Sequence, residues 1–208
     1  MIQDTLKNAL NDNFSMIFIF SVVIVALRLM YIHVHKEKFV LYKETFMFAF
    51  LLYALLLFYV VTFQDVNYGT NNFIPFKEIL RYEVGSKVFI KNIVGNIILF
   101  IPFGFFVAHL MKSKKLYPTL VVSMITSIVI EYTQLKIGRT FDIDDIILNI
   151  SGGFLGYLIY IIIDTLEDHM PQVLKTETFK NIITIIIVLL LIFVYTNFSL
   201  WGILRWVI

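Results

Sequence analysis

Glu131, Gln134, Arg139, Asp142, Asp145 and Asn149 break two strongly apolar runs with acids, amides and a guanidinium, and several of them fall inside the runs themselves. Ionisable groups in lipid are costly, so residues of these types in such a place mark a site rather than a solvated loop. Two kinds of chemistry are open to them. Arg139 can hold an anionic headgroup, because its planar fork binds phosphate or carboxylate oxygens in pairs. Asn96, Gln134 and Asn149 would then orient the ligand. Alternatively Glu131 or Asp145 works as a general acid or base under partial burial, or Asp142 and Asp145 hold a divalent cation that contacts phosphate. No nucleophilic serine signature and no doubled Asp-rich motif accompanies these acids, and the nearest histidine upstream, His109, belongs to the far end of another helix. Binding is therefore the favoured reading and an intramembrane enzyme the alternative.

The elements that position these groups follow from composition. Of 208 residues 59% are hydrophobic and 15% charged, with 21 Phe, and the mean hydropathy is +0.84. That apolar content arrives in blocks long enough to cross a bilayer, which predicts an all-α polytopic membrane helix bundle. Spans are expected at 14–32, 45–63, 93–111, 117–135, 143–163 and 182–195. The net charge of +2 carries no continuous basic face, so a nucleic-acid partner is not expected, and the absence of cysteine excludes thiolate chemistry. The run from Phe14 lacks a small-residue cleavage site and reads as an uncleaved span, with Arg28 placed to snorkel. Residues 1–13 have one apolar helical face suited to the interface, and the paired tryptophans and Arg205 of 199–206 suit a headgroup-level anchor. The 64–91 connection carries Asn72 and then Pro75, from which a short interfacial helix near 75–90 is expected. Pro102, followed by Gly104, removes a backbone donor in mid-span and predicts a kink or local opening.

Helical spacing then brings the groups together. Glu131 and Gln134 share a face of the fourth span; Asp142, Asp145, Asn149, Gly152 and Gly156 share a stripe of the fifth, from which Asp144 points elsewhere. A connection of a few residues makes these spans antiparallel neighbours, so the late part of one lies level with the early part of the other. Asn92 and Asn96 of the third span and the Asn72–Pro75 segment reach the same face. Gly152 and Gly156, with Gly153 between, read first as close helix contacts. Glu131 with Arg139 could also be a structural ion pair. The compact lysine-rich turns at 36–43 and 112–115 favour an N-out arrangement, which turns the polar cluster outward.

Asn72-Phe-Ile-Pro75-Phe76, Asn96-Ile-Ile-Leu-Phe100-Ile-Pro102-Phe-Gly104, Glu131-Tyr-Thr-Gln134 and Arg139-Thr-Phe-Asp142-Ile-Asp144-Asp145-Ile-Ile-Leu-Asn149-Ile-Ser-Gly152-Gly153, in this order and spacing, resemble the VanZ-like family. The resemblance covers about 39–164 and divides the chain into an N-terminal interfacial segment and first span (1–43), a VanZ-like membrane core (44–164) and an extra C-terminal span with an interfacial tail (165–208). It implies a small multi-pass protein of the bacterial cell membrane, linked to low-level resistance to teicoplanin-type glycopeptides, with Asn96, Glu131, Gln134, Arg139, Asp142, Asp145 and Asn149 as the polar signature. It brings no defined reaction. The expected partner is a membrane lipid or lipid-linked envelope precursor, with a divalent cation as the one cofactor considered and the oligomeric state left open.

Overall fold

Long runs of Leu, Ile, Val and Phe can satisfy their backbone groups in lipid only by coiling, and the chain does so almost throughout. A computed structural model describes residues 14–62 and 70–207, with side chains at 18–60, 70–194 and 196. The expected interfacial helix at 1–13, the 64–69 part of the long connection, and the side chains of Trp201, Arg205 and Trp206 lie outside the described residues. The helices are α1 (Phe14–His35), α2 (Leu41–Thr62), α3 (Lys77–Arg81), α4 (Lys87–Met111), α5 (Leu116–Lys136), α6 (Ile143–His169), α7 (Gln172–Lys175) and α8 (Glu177–Val207). Six of them, α1, α2, α4, α5, α6 and α8, are long and apolar enough to cross a membrane. This is a multi-pass membrane protein. Among the described residues there is no strand, only one parallel bridge between Asn72 and Asp142.

Two compact units emerge, one of Phe50–Leu166 with the described part of Met1–Val23, the other of Ile24–Ala49 and Glu167–Ile208. In the first, Leu57, Phe100, Phe103, Val107 and Ile130 form the core of α2, α4 and α5, with Phe50 and Tyr53 packed against it. The Tyr53 hydroxyl donates to the Leu99 carbonyl, which ties α2 to α4. A second cluster joins Ala108 of α4 to Tyr157 and Tyr160 of α6. Between these helices glycines let backbones touch. A Cβ on Gly104 would lie 2.7 Å from the Gly153 Cα, one on Gly152 2.8 Å from the Phe100 Cβ, and one on Gly156 2.6 Å from the Phe105 nitrogen. Gly153 in turn faces Ser123 of α5. These residues make the close contact that small side chains allow in lipid.

Two local features add detail to these expectations. α4 is continuous through Pro102 and leaves α geometry earlier, in a π-helical turn at Ile90–Val94 just before Asn96. The short helix expected near 75–90 is present as Lys77–Arg81; Gly85 at φ +84 then breaks the chain and Ser86 caps the start of α4 by accepting from the Phe89 N–H.

In the second unit Arg28 is paired with acids. It binds both oxygens of Glu44, at 2.9 and 3.0 Å, and lies 3.3 Å from Glu37. The basic α1–α2 loop is likewise paired, with Lys38 at 2.6 Å from Glu177 and the Tyr42 N–H donating to the Asn181 side chain at 3.0 Å.

Candidate functional site

The site is built on the α5–α6 turn. α5 closes with the Gly138 N–H on the Leu135 carbonyl (3.3 Å) and the Arg139 N–H on the Gln134 carbonyl (2.9 Å), a pairing that needs the left-handed backbone Gly138 supplies at φ +86. α6 opens with Asp142 as its cap, Oδ1 accepting from the Asp144 N–H at 2.9 Å. These caps bring Glu131 under Asp142, whose N–H donates to Glu131 Oε2 at 2.9 Å. Glu131 is 1% exposed.

The connection before α4 is laced to this turn. Asn72 N–H donates to the Phe141 carbonyl (2.8 Å), the Ile143 N–H to the Asn72 carbonyl (3.0 Å), and the Asn72 amide to Asp142 Oδ1 (2.8 Å). The Phe141 N–H reaches Asn71 Oδ1 at 3.0 Å, and the rings of Phe73 and Phe141 stack at 5.2 Å. The strongest tie is Asp144. Its carboxylate, 1% exposed, accepts the N–H groups of Phe76 (2.5 Å), Glu78 (2.7 Å) and Ile79 (3.1 Å). It thereby caps α3 from another segment and steadies Phe76 at φ +66, a backbone state that a bulky residue rarely holds unaided. Asp144 does leave the stripe of Asp142 and Asp145, as spacing requires, but it is absent from the candidate residues read from sequence. The available signal was the acid pair heading α6 together with a Pro75 segment that carries no capping side chain of its own.

From the third spanning helix of the cluster, Asn96 donates to Asp145 Oδ1 at 2.6 Å. Asn149, one turn further into α6, does not join the surface group; its amide donates to Ser127 at 2.9 Å in a buried pair. Asn92 bonds the Tyr82 hydroxyl at 3.1 Å. Gln134 is buried and Arg139 half-buried at the turn, where the guanidinium charge bears on both Glu131 and Asp145. Structure thus joins Asn72, Asn96, Glu131, Asp142 and Asp145 in one network, with Gln134 and Arg139 at its edge and Pro75 in the strap across it; Pro102 and Gly104 sit deeper in α4. Burial pushes the Asp142 carboxyl up from its ordinary value, opposed by the Asp144 N–H and the Asn72 amide and reinforced by the charges of Asp144 and Glu78. Among the described residues no three His, Cys, Asp or Glu side chains are arranged to hold a metal ion. A cation at Asp142 and Asp145 would have to draw further ligands from outside these side chains.

Fold and site together define a multi-pass helical membrane protein whose polar residues converge where a helical hairpin turns. A profile of the VanZ/LLP1 family matches residues 48–164, more than half of the chain and all of the site, and the chain belongs to that family. It is 31% identical over 105 residues to Protein VanZ of Enterococcus faecium, an alignment covering 50% of this chain and 63% of that protein. The chain thus spans less than two thirds of that relative's length. No solved structure matches.

Proposed function

We propose that this protein works in the bacterial cell membrane by binding or gating an amphiphilic envelope molecule at the polar cluster, on the outward face, and that this underlies resistance to teicoplanin-type glycopeptides. The molecule is a lipid carrier, a lipid headgroup or a lipoglycopeptide. Arg139 takes its anionic group, with Asn96, Gln134 and Asn149 supporting the site. One observation carries the reading. The strap bonded to Asp142 and Asp144 leaves Phe73, Ile74, Phe76 and Leu80 exposed, so polar and hydrocarbon surfaces adjoin where an amphiphile has both. A photo-reactive amino acid at Leu80, irradiated in cells, tests it by mass spectrometry of the adduct. The expected adduct is an anionic amphiphile that disappears with Arg139→Gln; an adduct of bulk phospholipid unchanged by Arg139→Gln would contradict the proposal.

A second reading rests on the sealed Glu131 carboxylate beside half-buried Asp145, a pair suited to acid or base work on a lipid-linked phosphate or glycan. A carboxylate-dependent chemical change in a purified lipid-linked substrate would put this reading first.

A further inference from the structure

α5 carries a second stripe, turned away from the polar cluster. Ile125, Val129, Tyr132 and Lys136 recur at the four- and three-residue steps of one helix face, and Glu131 and Gln134 lie round the other side. All four residues of the stripe are exposed. Beside it is a cavity of about 270 Å³. Its floor is Leu57 of α2, Phe103 of α4 and Ile130 of α5, which belong to the core of the first unit and are at most 6% exposed. Its rim is Phe58 of α2 with Ile125 and Val129 of α5, each about half exposed. The cavity therefore opens between α2 and α5, toward the hydrocarbon that these spans cross.

An empty apolar hollow forfeits dispersion contacts along its lining. Water is a poor filler, because it needs two to four polar partners and the lining side chains supply only the Thr126 hydroxyl. Hydrocarbon fits. The dimensions fit as well: from Ile125 to Lys136 the helix rises about 16 Å, the depth of one leaflet of a hydrocarbon core about 30 Å thick. At the top of that rise Lys136 ends α5 on the cluster's side of the membrane. Its ammonium lies 5.3 Å from the Tyr132 ring and has no acid partner among the described residues, whereas Lys38, Lys43, Lys114 and Lys180 are each paired with a carboxylate. A free cation beside an exposed tyrosine is the pairing found at headgroup level.

We propose that this groove binds one anionic phospholipid, its phosphate on Lys136 and an acyl chain laid along Val129 and Ile125 into the cavity between α2 and α5. The unpaired ammonium selects the headgroup by charge. A zwitterionic phospholipid offers the same chain, but it brings a cation of its own to Lys136 and gains less there. The bound chain fills the gap between α2 and α5 and so supports the packing of the first unit. The site is separate from the polar cluster, on the other side of α5, and does not depend on what the cluster binds.

The test uses the full chain in vesicles of phosphatidylcholine and phosphatidylglycerol, doped in parallel samples with a trace of one or the other lipid carrying a diazirine in mid-chain. After irradiation, adducts are mapped by mass spectrometry on peptides covering 54–58 and 125–130. The exposed apolar stretch 185–192 of α8 reports ordinary lipid contact. Relative to α8, the groove peptides should favour phosphatidylglycerol over phosphatidylcholine about fivefold, equivalent to about 1 kcal/mol for one lysine at the surface. Lys136→Gln should bring that ratio down to the α8 value. Thr126→Phe, which plugs the cavity, should lower groove adducts of both lipids severalfold and leave those on α8 unchanged. A wild-type groove ratio equal to that on α8, a ratio unchanged by Lys136→Gln, or groove labelling unchanged by Thr126→Phe would each overturn the proposal. If Thr126→Phe elutes as aggregate, Thr126→Leu decides by the same criterion.

Discussion

Asp144→Asn should release the strap that crosses the cluster without unfolding the spans. The native carboxylate accepts three backbone N–H groups. An asparagine keeps one oxygen for the Phe76 N–H and turns an NH2 toward those of Glu78 and Ile79, so two bonds and the charge are lost. Hydrogen bonds to a charged acceptor are worth roughly 1.5–3 kcal/mol each. Glu78 and Ile79 are half-buried, so water recovers part of the loss, and a net cost of about 2–3 kcal/mol to local opening remains. Asn72 and its bridge to Asp142 still hold the N-terminal end of the strap. Hydrogen exchange followed by mass spectrometry in detergent should therefore speed up roughly 30- to 150-fold in peptides covering 76–82, with α5 and α6 unchanged. Exchange within about threefold of wild type there, or acceleration spread evenly over α4, α5 and α6, would refute Asp144 as the strap's anchor.

Gly156→Ala should destabilise far more than Gly138→Ala. The first puts a methyl group against the Ile101 carbonyl and 2.6 Å from the Phe105 nitrogen, where only backbone can give way, at a cost of about 1–3 kcal/mol or more. The second meets nothing within 4 Å and strains only φ at +86, about 1 kcal/mol; thermal unfolding in detergent ranks them. The Asp142 carboxyl is raised, so the folded state holds its proton more tightly than the unfolded chain. Its contribution is present at low pH and lost as pH climbs through the raised value. The unfolding temperature should therefore fall as pH rises above ~4, and Asp142→Asn should flatten part of that fall; an unchanged pH profile would count against it. Glu44→Gln removes the charge that binds Arg28 in the second unit and should lower the unfolding temperature while leaving strap exchange unaltered.

What could be read from the residues tracks how local each interaction is. The spans were legible because lipid tolerates only long apolar helices, yet their ends were not: α6 runs on to His169 and α8 from Glu177 to Val207, past the apolar runs, since a helix continues wherever water or side chains satisfy its flanks. The 3.6-residue period put Asp142 and Asp145 on one stripe, and hairpin connectivity set Glu131 beside them. Asp144 was missed because its partners are backbone N–H groups more than sixty positions away, and backbone donors leave no trace in residue type. The π-helical turn at Ile90–Val94 has no signature among apolar residues either. Thr119 and Ser123 stand at a visible spacing of four, but their lack of partners appears only once α6 is packed against them.

The cluster as a ligand site, against the cluster as a brace, is decided by Glu131→Gln/Arg139→Gln. The introduced side-chain amide keeps a carbonyl oxygen that can still accept the Asp142 N–H, which Glu131 Oε2 takes at 2.9 Å in the native protein. Replacing both charges at once also avoids the roughly 3–5 kcal/mol that a stranded buried charge costs. The double variant should therefore match the wild-type unfolding temperature in detergent. The deciding measurement is the teicoplanin susceptibility of cells expressing the two proteins at equal levels: the account predicts that the stable double variant confers no resistance where the wild-type protein does, and resistance equal to wild type would contradict it.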